Sequence, residues 1–470
     1  MRDKKRRFEF YSIWDHTGLE AHLGRMAEKG WLVEKIDSFG WTYRRIEPRK
    51  LAFCVTYYPK ASDFAPGPTE DQETFYSFCR HTGWELAASC AQLQVFYNQR
   101  EDPVPIETDP ALELDTIHRT VKRSTLPSMG ALAAVALLNG SLLIADLLRD
   151  PIRALSSTSA LFSGMCWVLV LLLTGSEVIA YCRWRARARK AAERGEFLAT
   201  TSRIKLQIGC LAVVGAGLLY YFLSVFTSGD RMMMTIAPLM FLGLGLLIFL
   251  VNAIKKVLKR KKISARVNRT VTFVSVIVLS YALVGGVVFG TLAGMRKGWF
   301  AGDRETYQYH GSVFVIYDDE LPLTVEDLTG KSYGGDTYTR EWRDTASPLL
   351  ARYEAHQHPR FDAESYVDWP RLEYTVTQVR LPALYGMCKK SLLSEYDGSE
   401  EYWENRRYVP QDPAPWGAEE VYRLVDSEYG PWDVWLLCYP DRFVDFRPDW
   451  ELTAEQMALT GEILGGVPAR

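Results

Sequence analysis

The chain has 470 residues, 48% of them apolar and 24% charged, with a formal net charge of −2. That length exceeds one ordinary hydrophobic core, so several domains are expected. The near-neutral total excludes a chain that is basic throughout, but it conceals a partition: residues 1–127 carry 18 Lys/Arg against 19 Asp/Glu, residues 128–295 carry 19 against 6, and residues 296–470 carry 18 against 32. These boundaries predict three domains in different surroundings.

The first domain alternates short strands and helices. Leu19, Leu23, Met26 and Ala27 recur at helical spacing from a start near Asp15–Thr17, and Phe75, Phe78, Cys79 and Thr82 repeat the pattern. Each run ends in Gly-Trp, Gly30-Trp31 and Gly83-Trp84. The glycine suits a left-handed helix end, and the tryptophan is placed to fold back under its helix, so these four residues are read as scaffolding. Strand patterns occupy RFEFYSI (7–13), WLVEKID (31–37), WTYRRI (41–46), LAFCVTYY (51–58), WELAAS (84–89) and LQVFYN (93–98). The order predicts an α+β sandwich with both helices on one face of one sheet.

Several of these stretches carry a resemblance. RRFEFYSIWDHTGLEAHLGRMAEKGWLVEKIDSFGWTYRRIEPRK, the later TGWELAAS and LQVFYN, and PIETDPALELDTIHRTVKR together resemble a bacterial family, domain of unknown function 2812, over about residues 4–125. The resemblance implies a cytosolic module attached to spans in a bacterial plasma membrane, often beside transcription regulators of the PadR type. It implies no activity, so no functional residue is carried over. CAQLQVFYN stands where the family usually has a Gly-rich aromatic turn, a departure that bears on the last hairpin.

The second domain contains five apolar stretches, 129–149, 160–182, 206–227, 232–254 and 271–293. Each is about the 20 residues that a membrane-spanning helix needs. RWRARARKAAERGEFLATTSRIK and KKVLKRKKISARVNR follow the second and fourth stretches, whereas RDPIRALSST and TSGDR, after the first and third, are short and carry few basic residues. The positive-inside bias then sets the basic connections and the N-terminus in the cytoplasm, with no secretory signal ahead of the first span. Five crossings put residues 296–470 outside. The basic clusters are read as orientation signals, without a specific ligand. Glu177 in the second span is the leading intramembrane polar candidate, able to pair with Arg183 or another nearby basic residue, with Asn139 in the first span beside it. The small-residue runs GAGLL, GLGLL and VGGVVFGTLAG suggest close helix packing.

The third domain is acidic but rich in aromatic residues, which predicts a folded α+β extracytoplasmic domain. Strand patterns occur in YQYHGSVFVIYDD, LEYTVTQVRL, VYRLVD and VWLLCYPDRFVDFRP, the last broken at Pro440-Asp441. Helices are expected over 382–396 and 453–466, the latter opened by a Thr453/Gln456 capping box. SEEYWENRRYVPQDPAPWG (399–417) reads as a long loop. Cys388 and Cys438, the two cysteines assigned outside, are able to form a disulfide in an oxidising compartment, with two buried free thiols as the alternative. His356 and His358, with Glu354 or Asp362, lack the spacing of a zinc site and read as a surface loop. Asp318, Asp319 and Glu320 lack the glycine-punctuated loop of a calcium site and read as a solvated turn.

No nucleophile elbow, phosphate-binding loop or dinucleotide fingerprint is present in the sequence. The expectation is a non-enzymatic membrane sensor or regulatory scaffold in the lipid bilayer, without a cofactor or metal, that couples an unidentified external ligand to a cytosolic partner. The PadR-type regulator enters only through the resemblance. Direct nucleic-acid binding by Lys4–Arg7, Arg44, Arg45, Arg49 and Lys50 is not expected, because residues 1–127 are slightly acidic. The alternative class is a transporter or transporter-accessory protein working through Glu177.

Overall fold

The computed structural model describes residues 3–9, 11–37, 40–100, 102–200, 204–227, 230–333, 338–360, 369–396 and 405–466. Two compact units emerge: Met1–Asn139, Cys166–Gly217 and Phe241–Val284 form one, and Gly140–Met165, Leu218–Met240 and Gly285–Arg470 form the other.

The first unit begins with β1 (Lys4–Arg7), α1 (His16–Glu28), β2 (Trp31–Asp37), β3 (Gly40–Arg45), β4 (Ala52–Tyr57), α2 (Glu70–His81), β5 (Glu85–Cys90), β6 (Leu93–Asn98) and α3 (Pro110–Thr120). The strands form two antiparallel three-stranded sheets, ordered β1-β3-β2 and β4-β6-β5, in place of the expected single sheet. The stretch after β3 contains Pro48, which has no N–H for a ladder, and β4 pairs with β6 instead. β2 lies against β5 without a hydrogen-bonded ladder. The predicted strand at 7–13 is also displaced. β1 pairs with β3 through Lys4–Arg7, while Tyr11 and Ile13 pack on the core beside Trp41 and Tyr57. Phe10 lies outside the described residues.

Both helix ends take the expected form. Asp15 caps α1, and Thr69 with Gln72 forms a capping box on α2. Gly30 has φ +80° and Gly83 has φ +89°, conformations that a Cβ disfavours. Trp84 packs back on Cys79 of its own helix and donates through Nε1 to the Val104 carbonyl at 2.9 Å. Phe78 departs from the expected face of α2: it is 60% exposed, and Phe75 and Tyr76 pack against Phe96 instead.

Five long helices contain the five predicted spans: α4 (Leu126–Arg149), then past the short α5 (Pro151–Ser156), α6 (Thr158–Ala192), α7 (Ile204–Thr227), α8 (Arg231–Arg260) and α9 (Ala265–Arg296). α3 joins α4 through a π-helical turn at Val121–Thr125, giving 40 helical residues from Pro110 to Arg149. The turn lies just before Pro127, which cannot donate to a regular helical ladder, so the wider turn accommodates it. Large apolar side chains on these helices are uncovered by protein, among them Phe249 at 66% and Phe289 at 75% exposure. Such surfaces suit hydrocarbon rather than water. The helices therefore give a multi-pass membrane protein. Of the small-residue stretches, GLGLL shows a close approach between helices at one glycine: a Cβ at Gly243 would collide with Leu283, whereas Gly245, Gly215, Gly285, Gly286 and Gly290 face open space and Gly294 meets Phe300 just beyond its own helix.

The second unit contains the hairpin β7 (Thr306–Tyr309)–β8 (Ser312–Val315), α10 (Val325–Thr329), β9 (Tyr338–Ala346), β10 (Leu350–Pro359), β11 (Leu372–Val379), α11 (Tyr385–Ser394), β12 (Arg406–Gln411), β13 (Glu420–Asp426), β14 (Gly430–Tyr439), β15 (Arg442–Pro448) and α12 (Ala454–Gly466). Seven strands make one antiparallel sheet in the order β12-β13-β14-β15-β11-β10-β9. One sheet face builds the main core, where Tyr353, Tyr374, Val444 and Phe446 meet Trp416 and Leu464. β12 corrects the predicted loop at 399–417: it is an edge strand, where Pro410 costs no ladder bond, and residues 399–404 lie outside the described residues. β10 corrects the surface-loop reading of Glu354, His356 and His358, which lie within a strand paired on both sides. Asp362 lies outside the described residues.

Candidate functional site

In the first unit, α6 is bound to the N-terminal fold through one stripe. Glu177, Tyr181, Trp184 and Ala188 recur at i, i+4, i+7 and i+11, and all four are buried. The Trp14 indole, 1% exposed, donates to the Glu177 carboxylate at 2.9 Å. Its ring lies 6.0 Å from Tyr181 and 5.6 Å from Trp184. Tyr181 also meets His118 of α3, with the hydroxyl 2.8 Å from Nδ1 and the rings stacked. The chain beyond α6 returns to the same place: the Trp184 indole donates to the Leu198 carbonyl, and the Thr200 hydroxyl bonds Asp15 while its N–H donates to Thr17 Oγ1. Glu177 thus has an aromatic donor, where sequence reasoning offered Arg183. Asn139 makes no such joint and donates to the Val135 carbonyl of its own helix.

Titratable groups lie beneath this joint. His16 Nε2 is 2.8 Å from Glu113 and its ring touches Trp184. Burial works against the imidazolium, but the bond and charge of Glu113 outweigh it and hold His16 above its usual value. Burial pushes the Glu20 carboxyl up to about 7, against the opposing effect of the Val55 N–H that it accepts at 2.7 Å. A second tether joins α8 and α9 to the loop after β4. Lys255 and Lys259 reach Asp63 at 2.6 and 3.2 Å, and Asn268 donates to the Phe64 carbonyl at 2.9 Å. Burial raises the Asp63 carboxyl, but the two lysines outweigh it and hold the group below its ordinary value.

The second unit holds a cleft of about 1010 Å³. Its floor is the sheet face opposite the main core, where the register aligns three cross-strand rows: Arg352, Thr377 and Phe443; Glu354, Thr375 and Asp445; His356, Glu373 and Arg447. Ser391, Leu392, Ser394 and Glu395 of α11 and the following turn line it from one side, and Arg149, Asp150 and Ile152 from another. The rows contain their own ion pairs, Arg352–Glu354 at 3.0 Å, Asp445–Arg447 at 2.6 Å and His356–Glu373 at 3.7 Å. The facing carboxylate raises the His356 pKa, and the imidazole lowers that of Glu373. Beyond the cleft the same face turns apolar, and Cys388 and Cys438 are buried there as free thiols in one cluster with Leu350, Leu436 and Phe443.

The remaining sequence candidates have structural partners. Asp318 pairs with Arg340, and Asp319 pairs with Arg304 and accepts the Trp342 N–H, so the acidic turn is ion-paired. Among the described residues, no group of three or more His, Cys, Asp or Glu side chains is placed to hold a metal ion. The α6 stripe and the cleft both escaped the sequence reading. The spacing of Glu177, Tyr181, Trp184 and Ala188 was the available signal for the first, and the alternation of Arg352, Glu354 and His356 for the second.

These features define a multi-pass helical membrane protein with β-rich regions at both ends of the chain. Residues 16–129 match the model of a family described as a protein of unknown function, DUF2812, the family that the sequence motifs resemble. The match runs from the first residue of α1 into the first turns of α4. Comparison with curated proteins and with solved structures gives no match.

Proposed function

We propose that the protein is a non-enzymatic membrane sensor or regulatory scaffold, in which an extracytoplasmic C-terminal region passes a ligand- or stress-dependent shift through five spans to a cytosolic N-terminal module. The observation that carries this reading is the Trp14–Glu177 bond, because it ties the segment just before the module's first helix to a membrane-length helix at a buried point. The sidedness draws on the chain's own packing. The connection after α6 and the ends of α8 and α9 bind the N-terminal fold within the first unit. The connection after α4 binds the C-terminal fold within the second, through Ser347 to the Leu155 carbonyl at 2.6 Å and Thr158 to the Ala346 carbonyl at 2.9 Å. Successive crossings place alternate connections on opposite faces of a bilayer, and the basic connections are those that bind the N-terminal fold.

Engagement of Glu177 by an indole favours this reading over ion transport, which calls for a carboxylate open to the ion. The cytosolic partner is a transcription regulator of the PadR type, a proposal supported by family resemblance alone. Deleting residues 300–470 in cells tests the coupling. Crosslinked partners of residues 1–127 should change with the deletion and with cell-envelope stress, and an unchanged partner set overturns the reading. Protease added to intact cells should trim the chain beyond residue 300, and trimming only after lysis overturns the sidedness.

A further inference from the structure

A sheet face lined by neighbouring elements is ordinarily apolar, because enclosed polar groups give up their water. The floor of the cleft in the second unit departs from this, and its charges do not balance. Five lining carboxylates face three guanidinium groups and one imidazole. Glu354, Asp445 and Glu373 each have a partner in the rows, and Asp150 caps α5 by accepting the Arg153 N–H at 2.9 Å. Among the described residues, the ion-pair partner of Glu395 is Arg447 Nη2 at 3.9 Å, and that nitrogen already donates to Asp445 at 2.6 Å. Partial burial, with the nearby Asp445 charge adding to it and Arg447 opposing it, pushes the Glu395 carboxyl up, while about half of the side chain stays exposed to a ligand in the cleft.

We propose that the cleft binds a small organic polycation, its ammonium groups received by Glu395 and the carboxylates around it. A concave polar site of this size with carboxylates in excess of cations suits such a ligand; pockets of about 300–1,000 Å³ accommodate small-molecule ligands. The acidic balance of residues 296–470, 32 Asp/Glu against 18 Lys/Arg, concentrates cations near the site. Free polyamines and short lysine-rich peptides share this chemistry. The inference deepens the sensor reading, on which it rests for the meaning of binding, by naming the class of molecule sensed.

The test titrates the full-length protein in nanodiscs of zwitterionic lipid with spermine, trilysine and triglutamate, at roughly 0.15 M salt to screen diffuse attraction. Spermine or trilysine should bind saturably at one site, and triglutamate should not bind. The tighter of the two cations identifies the source as free polyamine or peptide. Glu395→Gln should weaken that cation roughly tenfold, whereas Glu419→Gln, on an exposed residue outside the cleft lining, should leave it unchanged. Arg149→Gln removes a competing cation from the lining and should tighten binding roughly threefold, a gain that misfolding does not produce. Absence of saturable cation binding, preference for triglutamate, or equal losses in Glu395→Gln and Glu419→Gln overturns the proposal. Binding that leaves the crosslinking pattern of residues 1–127 unchanged overturns the sensor reading while the site stands.

Discussion

The Trp14 indole and the Glu177 carboxylate meet at 2.9 Å across 163 positions of sequence, the hydrogen bond on which the N-terminal fold and α6 converge. Phenylalanine at 14 keeps a ring and removes the donor, leaving a carboxylate that is 9% exposed without that partner. Trp14→Phe should cost about 1–3 kcal/mol locally. Glu177→Gln should cost less, because an amide oxygen still accepts the indole N–H. Hydrogen exchange of α1 and of residues 177–200 checks the order, and a greater loss from Glu177→Gln contradicts it.

Glu20 predicts a pH dependence. Its folded pKa of about 7 lies above the ordinary carboxyl value of 4.5, so its contribution is fully present below about pH 4.5 and is lost as the pH rises through about 7. Glu20→Gln removes the ionisation and keeps an oxygen for the Val55 N–H. The variant should match the parent near pH 5 and exceed it near pH 8, by on the order of 2 kcal/mol. Exchange rates of β4 amides at the two pH values read the difference, and an equal effect at both would refute the assignment.

Gly30 and Gly83 separate two costs of replacing a left-handed glycine. Alanine at either position pays the conformational penalty of about 1–2 kcal/mol. At Gly30 the added Cβ also falls 2.9 Å from the Ile46 carbonyl oxygen, a backbone atom, whereas at Gly83 it meets the Asn98 side-chain amide at 3.2 Å. Gly30→Ala should therefore lower thermal stability more than Gly83→Ala. Melting curves followed by tryptophan fluorescence test the ranking.

Asp63 anchors the loop after β4 to two lysines of α8. The pairs are partly exposed, so Asp63→Asn should cost no more than about 1 kcal/mol and lose its effect in high salt. Exchange around residues 60–66 should rise in dilute buffer. An equal rise in concentrated salt would assign the tether to Asn268 and the Phe64 carbonyl instead.

The sequence determined what local chemistry controls. Uninterrupted apolar length fixed the five membrane-length helices, and the Gly-Trp junctions fixed both helix-to-strand turns, since a long apolar run or a left-handed residue needs no distant partner to be recognised. β2 and β6 occupy their predicted ranges because both are dense in the branched aliphatic and aromatic residues that suit a strand. β10 hid from the same reading: Ala351 and Ala355 carry its core face, and small residues give a weak hydrophobic alternation. Tertiary structure alone decided which donor reaches Glu177, how six strands divide between two sheets, and which charges line the cleft. Each depends on register or helix rotation between segments far apart in the chain, where a shift of one residue turns a side chain to another face.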